Sequence, residues 1–314
     1  DVGGLTAVYQ LEAGFNGVKG DSTTNVVGGS TGGGNGDNTL ASRNTFVGIA
    51  GGFGTFVIGN HDTPYKIAAR GAGAISSADT VADLHLLVDR RLKGAVAYIA
   101  PADALGGVTV ALAVVPHSYK DGEEGNQKQK SGQHYSLGVL APIGDTGLTI
   151  GAGYESAYAP TVDERANSFF VAAKFKQDLF SVGLAFESID AEDAYTAAAK
   201  AYLDGKSGDQ LDKANKDLEG LVDKLVNAGV YSKATRILLP VSLTLDDGIY
   251  VNLAAALSDY DTDDDELAIS LSAGKKWGKY LDAYVGVKNV TNANGASKDA
   301  DYTDFGAGIR VSFN

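Results

Sequence analysis

The sequence predicts an all-β protein, a transmembrane antiparallel meander β-barrel with about fourteen readable strands. Three observations carry this. Apolar residues alternate with polar or small ones over segments of about ten residues. Tight turns alternate strictly with long polar connections. No apolar run reaches the roughly 18 to 20 residues that a membrane-crossing helix needs, whereas a barrel strand hides its hydrophobicity in alternation.

The first strand runs from Leu5 to Phe15, with Leu5, Ala7, Tyr9 and Leu11 on one face and Thr6, Gln10 and Glu12 on the other. Further on, Phe180, Val182, Leu184 and Phe186 oppose Ser181, Gly183, Ala185 and Glu187, and Ile237, Leu239, Val241, Leu243 and Leu245 oppose Arg236, Ser242 and Thr244. Leu267, Ile269, Leu271 and Ala273 alternate with Ser270, Ser272, Gly274 and Lys276. Leu281, Ala283, Val285 and Val287 alternate with Asp282, Tyr284, Gly286 and Lys288. The last strand continues with Ala307, Ile309, Val311 and Phe313 against Gly306, Gly308, Arg310 and Ser312.

A soluble sandwich also alternates, so the connections decide. Tight turns fall at Gly51 to Gly54, Pro101 to Gly106, Pro142 to Thr146, Gln177 with Asp178, Asp246 to Gly248, and Trp277 to Lys279. Between them lie long polar stretches: Asn16 to Ala41, Pro64 to Asp89, Tyr119 to Gln133, Pro160 to Asn167, Ala191 to Ala234, Ser258 to Glu266, and Thr291 to Ala300. This rhythm belongs to outer-membrane barrels, with turns periplasmic and loops outside. Both chain ends then fall on the turn side, which lets the sheet close without an edge. Trp277 and Tyr280 sit where an interfacial aromatic girdle is expected. The whole of residues 1–314 reads as one such barrel.

Composition is consistent with this fold and excludes other classes. The 314 residues include 41 Gly, 15 Tyr and 11 Phe but no Cys or Met, and mean hydropathy is -0.06. Without Cys there is neither disulfide framework nor thiolate metal site. A net charge of -13 argues against nucleic acid, which needs a basic face. The glycine run Gly28 to Gly36 lacks the Lys-Ser/Thr ending and following helix of a phosphate loop and reads as a surface loop.

One connection is different. Ala191 to Leu203 and Asp209 to Ala228 have helical spacing, with Leu211, Leu218, Leu221, Leu225 and Val226 in one stripe, so residues 191–228 are expected to form a helical hairpin inserted in an extracellular loop. Its functional reading is a lid or partner-binding role, beside plain packing of the stripe on the first helix or the barrel mouth. Asp261, Asp263 and Asp265 are candidates for holding a hard cation, but the run lacks an EF-hand glycine, and a charged outer loop meeting lipopolysaccharide is the plainer reading. His134 and Ser136 share a strand face at a spacing compatible with base and nucleophile, without an evident orienting acid.

Two segments go further. Ser42-Arg43-Asn44-Thr45-Phe46-Val47-Gly48-Ile49-Ala50-Gly51-Gly52-Phe53-Gly54-Thr55-Phe56-Val57-Ile58-Gly59-Asn60 resembles the hairpin that precedes the constriction loop of the general trimeric porins. Asp1 to Glu12 resembles the turn and third strand of the same family. The resemblance implies a sixteen-stranded, homotrimeric outer-membrane porin of Gram-negative bacteria. Such a protein is a passive, water-filled channel for small hydrophilic solutes and ions, needs no cofactor, and is not an enzyme. On that match an N-terminal hairpin is either upstream of Asp1 or absent. The implied partners are the lipid bilayer, lipopolysaccharide and two further copies of the chain. The alternatives are a substrate-specific channel or, outside transport, a barrel hydrolase or adhesin.

In this family the third loop folds into the lumen, here 64–89, and wall bases face loop acids. Carried over by motif, Arg43, Arg91 and Lys93 are the expected wall bases, and Asp79 and Asp83 the loop acids. Alternation places Arg91, Lys93 and Ala95 opposite Leu92, Val96 and Tyr98. Asn60 stands where many relatives carry Arg. With acids at the mouth and mixed charge at the constriction, the expected selectivity is a weak cation preference that fades with salt.

Overall fold

The structure is a computed structural model that describes residues 3–15, 40–75, 82–116, 134–159, 164–193, 233–260, 265–292 and 301–311. Fourteen strands follow one another in sequence order, each antiparallel to the next. They are β1 (Thr6–Phe15), β2 (Leu40–Gly51), β3 (Gly54–Asp62), β4 (Arg91–Ile99), β5 (Thr109–Val115), β6 (His134–Pro142) and β7 (Leu148–Ala159). The second half comprises β8 (Glu164–Gln177), β9 (Phe180–Asp190), β10 (Lys233–Thr244), β11 (Ile249–Tyr260), β12 (Glu266–Trp277), β13 (Leu281–Thr291) and β14 (Tyr302–Val311). Among the described residues an α-helix, α1 (Pro64–Gly71), follows β3.

Register makes the two faces explicit. Phe186, Ile237, Leu257 and Leu267 are cross-strand neighbours on β9 to β12, and all four are exposed. One position along, Glu187, Arg236, Ser258 and Glu266 are neighbours on the same strands, and all four are buried. A one-residue slip would exchange the rows, so the register itself separates an apolar face from a polar one.

Two bulges interrupt this regularity. Between the pairs Leu11↔Thr45 and Ala13↔Ser42, Arg43 and Asn44 of β2 both stand opposite Glu12. Between Gly59↔Ala95 and His61↔Leu92, Lys93 and Gly94 of β4 oppose Asn60 alone. The second corrects the expected faces of β4. Leu92 is buried in one cluster with Ala95 and Ala97, because the extra residue inverts the alternation.

No register joins β14 to β1 among the described residues, so the closure expected from the sequence is not seen and the sheet is open there. The edge positions reflect this. Tyr9 and Leu11 on β1 are 81% and 82% exposed, and Phe305 and Ile309 on β14 are 78% and 73% exposed, because each lacks a neighbour on one side.

Within the curve of the sheet, the described parts of the segment after β3, Thr63 to Ile75 and Ala82 to Arg90, lie against the inner face. Thr63 caps α1 by accepting from Lys66 N at 3.1 Å, Pro64 occupies the first turn, and Tyr65, Ala68, Ala69 and Ala72 turn toward the wall. The approach is close enough to demand glycine. A Cβ on Gly138 of β6 would stand 2.1 Å from the Pro64 carbonyl oxygen, and one on Gly286 of β13 would stand 2.7 Å from the Ala82 methyl. Leu84, Leu86 and Val88 on the returning arm join Tyr65 in an apolar cluster with Phe170, Ala172, Ala185, Leu238 and Ala254 of the wall. The expected helical hairpin lies almost wholly outside the described residues, as does the glycine-rich run.

Candidate functional site

The inward segment is fastened to the wall by polar groups from several strands. Ser136 of β6 accepts from Tyr65 N at 3.1 Å. The fully buried Glu187 of β9 accepts from Tyr65 Oη at 2.6 Å, from Leu87 N at 2.5 Å and from Val88 N at 3.1 Å. Lys174 of β8 donates to the Gly71 carbonyl at 2.7 Å. Arg236 of β10 donates to the His85 carbonyl at 2.9 Å, and is itself held by Ser258 at 2.7 Å and Glu266 at 2.5 Å. Every one of these wall groups lies on the face opposite the exposed apolar rows. Burial, reinforced by the Glu187 carboxylate, pushes the Tyr65 phenol far above its ordinary pKa, so it stays a neutral donor.

A second network binds α1 to the roots of the segment. Lys66 Nζ lies 3.2 Å from Asp62 and 2.8 Å from Asp89. Arg91 reaches Asp62 at 3.1 Å and the Asn44 side-chain oxygen at 2.9 Å. Arg70 reaches Asp89 at 3.3 Å, and the neighbouring Arg90 reaches the buried Glu155 of β7 at 3.4 Å. Burial works against charge on Asp89, but His85, Lys66 and Arg70 together hold its carboxyl below the ordinary range. Burial also lowers the His85 imidazole below its usual value.

The residues expected from sequence are distributed unequally over this site. Arg43 pairs with Glu12 at 2.7 Å, and Arg91 belongs to the Asp62 network. Lys93 is exposed at the β4 bulge and meets no partner among the described residues. Asp83 is half-buried between Ala82 and Leu84, at the far end of the segment near β13, whereas Asp79 lies outside the described residues. Asp261 and Asp263 also lie outside them; Asp265 is exposed and its carbonyl accepts from Asn292. Among the described residues no cluster of His, Cys, Asp or Glu is arranged to hold a metal ion.

Sequence reasoning missed Asp62, Lys66, Asp89, Arg90, Glu155, Lys174, Glu187, Arg236 and Glu266 as members of the site. A signal was present for the wall residues. Glu155, Glu187, Arg236 and Glu266 are charged residues at inward positions in the middle or upper part of apolar strands, where burial demands a partner. His134 lies 3.2 Å from Glu155, and Ser136 is covered by α1.

Comparison with known proteins agrees with this architecture. A family model described as Gram-negative porin matches residues 1–308. The fold is similar to that of an anion-selective porin from Comamonas acidovorans, with TM-score 0.61 and 16% identity over 99% of this chain and 86% of that one. It is also similar to Salmonella typhi OmpF, solved in complex with daunomycin, with TM-score 0.61 and 12% identity over 98% of this chain and 86% of that one. A trimer form of OmpT from Vibrio cholerae gives TM-score 0.51 and 16% identity over 88% and 82% of the two chains. No curated protein sequence matches this chain.

Proposed function

This chain belongs to the Gram-negative porin family and is an outer-membrane channel protein, and on that premise we propose that it admits small hydrophilic solutes and ions without chemical selection, through a lumen narrowed by residues 64–89. The observation that carries the proposal is the docking of this segment on the polar face of a sheet whose other face is apolar. It occupies lumen cross-section, and its anchorage to β6, β8, β9 and β10 holds it there. Arg43, Arg91 and Lys93 are its wall bases and Asp79 and Asp83 its loop acids in this reading, with Arg43 and Arg91 moderated by Glu12 and Asp62. The exposed apolar face meets the lipid bilayer, and the outer loops meet lipopolysaccharide. The functional unit is a homotrimer, as in the similar trimer form from Vibrio cholerae.

The chain acts as a channel and not as a hydrolase. In support, Ser136 is engaged with Tyr65 N and 3% exposed beneath α1, out of reach of a substrate carbonyl. A substrate-specific channel has one observation in its favour. Tyr250 and Tyr284 alternate with Gly274 and Gly308 in one inward cross-strand row, with both rings laid against the glycines. Planar-bilayer recording tests both: ohmic current without block by sugars supports unselective diffusion, block at micromolar concentration supports a specific site, and no ohmic current sinks the channel reading.

A further inference from the structure

Around α1 the carboxylates are covered and two of the guanidiniums are not. The side chains of Asp62 and Asp89 are each 18% exposed and that of Glu155 is 2% exposed, whereas those of Arg70 and Arg90 are 37% and 47% exposed. Each guanidinium is held from behind by one covered acid, Arg70 by Asp89 and Arg90 by Glu155. Lys66 and Arg91 are largely buried within the same network. A solute passing α1 therefore meets basic groups first.

The surrounding groups reinforce this. Lys66, Arg70, Arg90, Arg91 and Lys174, the last at the Gly71 carbonyl, outnumber Asp62, Asp89, Glu155 and the fully buried Glu187. His134 also approaches Glu155, at 3.2 Å, and so competes with Arg90 for that acid rather than adding one. Asp83 lies at the other end of the segment, near β13. Guanidiniums present fixed, planar sets of donors that suit carboxylate and phosphate oxygens, and a partner on one edge leaves the remaining N–H groups for a second anion.

We propose that Arg70 and Arg90, two bases on the inward segment itself, form the anion-contacting site of the pore and favour passage of small carboxylates, phosphate and chloride. This rests on the reading of residues 64–89 as the narrow part of the lumen. It reverses the sequence expectation at that level, in which the loop supplies acids. Acids expected from the sequence in the outer loops bear on the whole conductance, so the decisive quantity is the change caused at α1.

The test uses the full chain, purified from outer membranes, in planar bilayers under a potassium chloride gradient. Heat-modifiable gel migration first establishes that each variant is folded. Arg70→Gln with Arg90→Gln is expected to lower the chloride-to-potassium permeability ratio roughly two- to fivefold, the scale of two fixed charges acting across several ångströms of water. Arg70→Lys with Arg90→Lys retains the wild-type ratio for chloride, a spherical ion that reads the charge and not the planar donor set that suits carboxylates and phosphate. An unchanged ratio in the Gln pair, or an equal loss in the Lys pair, overturns the assignment. Absence of ohmic current in wild type overturns the channel reading instead, which is a separate result.

Discussion

The carboxylate of Glu187 ties both arms of the inward segment to the wall, taking Tyr65 Oη at 2.6 Å from the outgoing arm and Leu87 N at 2.5 Å from the returning one. One side chain on β9 thus sets where both arms lie. Glu187→Ala leaves two backbone donors without this acceptor, at about 1 to 3 kcal/mol for each one that stays buried. The expected outcome is a folded barrel with a loosened segment, seen as noisier single-channel current and a larger polyethylene glycol exclusion size. An exclusion size equal to wild type would show that the apolar cluster alone holds the segment.

Close approach makes a second prediction at Gly138. Alanine there places a methyl group against the Pro64 carbonyl, and the backbone of β6 cannot yield without breaking its ladder. Gly138→Ala is expected to lift α1 and destabilise the fold by about 1 to 3 kcal/mol. The temperature at which the folded form is lost on gels measures this, with Gly52→Ala, at a turn glycine with open space and no left-handed backbone, as a control of similar chemistry. Equal loss temperatures for Gly138→Ala and wild type would refute the contact.

Acid should release part of the anchorage. The Asp89 carboxyl is held below its ordinary value, so its contribution is fully present above the unfolded value of about 3.9 and is lost as pH falls through the lower folded value. Current noise is therefore expected to rise only below about pH 4 in wild type. Asp89→Asn should be noisy already at neutral pH and vary less on acidification. A rise centred near pH 6 would assign the effect to another group.

Arg43 offers a test of the wall. Its partner Glu12 lies 2.7 Å away, and both side chains are about one-third exposed, so solvent screens the pair. Glu12→Gln leaves the base uncompensated and is expected to raise the chloride-to-potassium ratio by roughly twofold or less. No change at low salt would place Arg43 outside the conduction path.

Strand identity and facing were legible because they depend on a local period: the face Ile237, Leu239, Val241 of β10 can be read two residues at a time. The bulge at Lys93 and Gly94 was not, since a one-residue insertion is defined by its partner strand and not by its own sequence. Helix α1 carried its own start signal in Thr63 and Pro64, yet eight residues within a polar stretch read as loop. The charge network was the hardest part. Glu187 and Tyr65 are separated by 122 positions, and only the fold brings them together. Local motif reading therefore singled out Arg43 and Arg91 but gave Arg70 and Arg90 no role, although both are outward members of the network.

The apolar cluster beneath the inward segment has a consequence for the order of assembly. Its wall half is contributed by β8 to β13, while its loop half is synthesised before any of those strands exist. Tyr65 and Leu86 have no surface to bury against until the later strands have paired, and Arg236 reaches His85 across 151 positions. Docking of the segment is therefore a late event, taken after the wall is laid down, and its long-range contacts place it on the slow side of folding. Fluorescence of Phe170→Trp in a Trp277→Phe background, with the probe beside the Tyr65 ring, would report that step; it should change after β-structure has formed, and simultaneous change would reject the order.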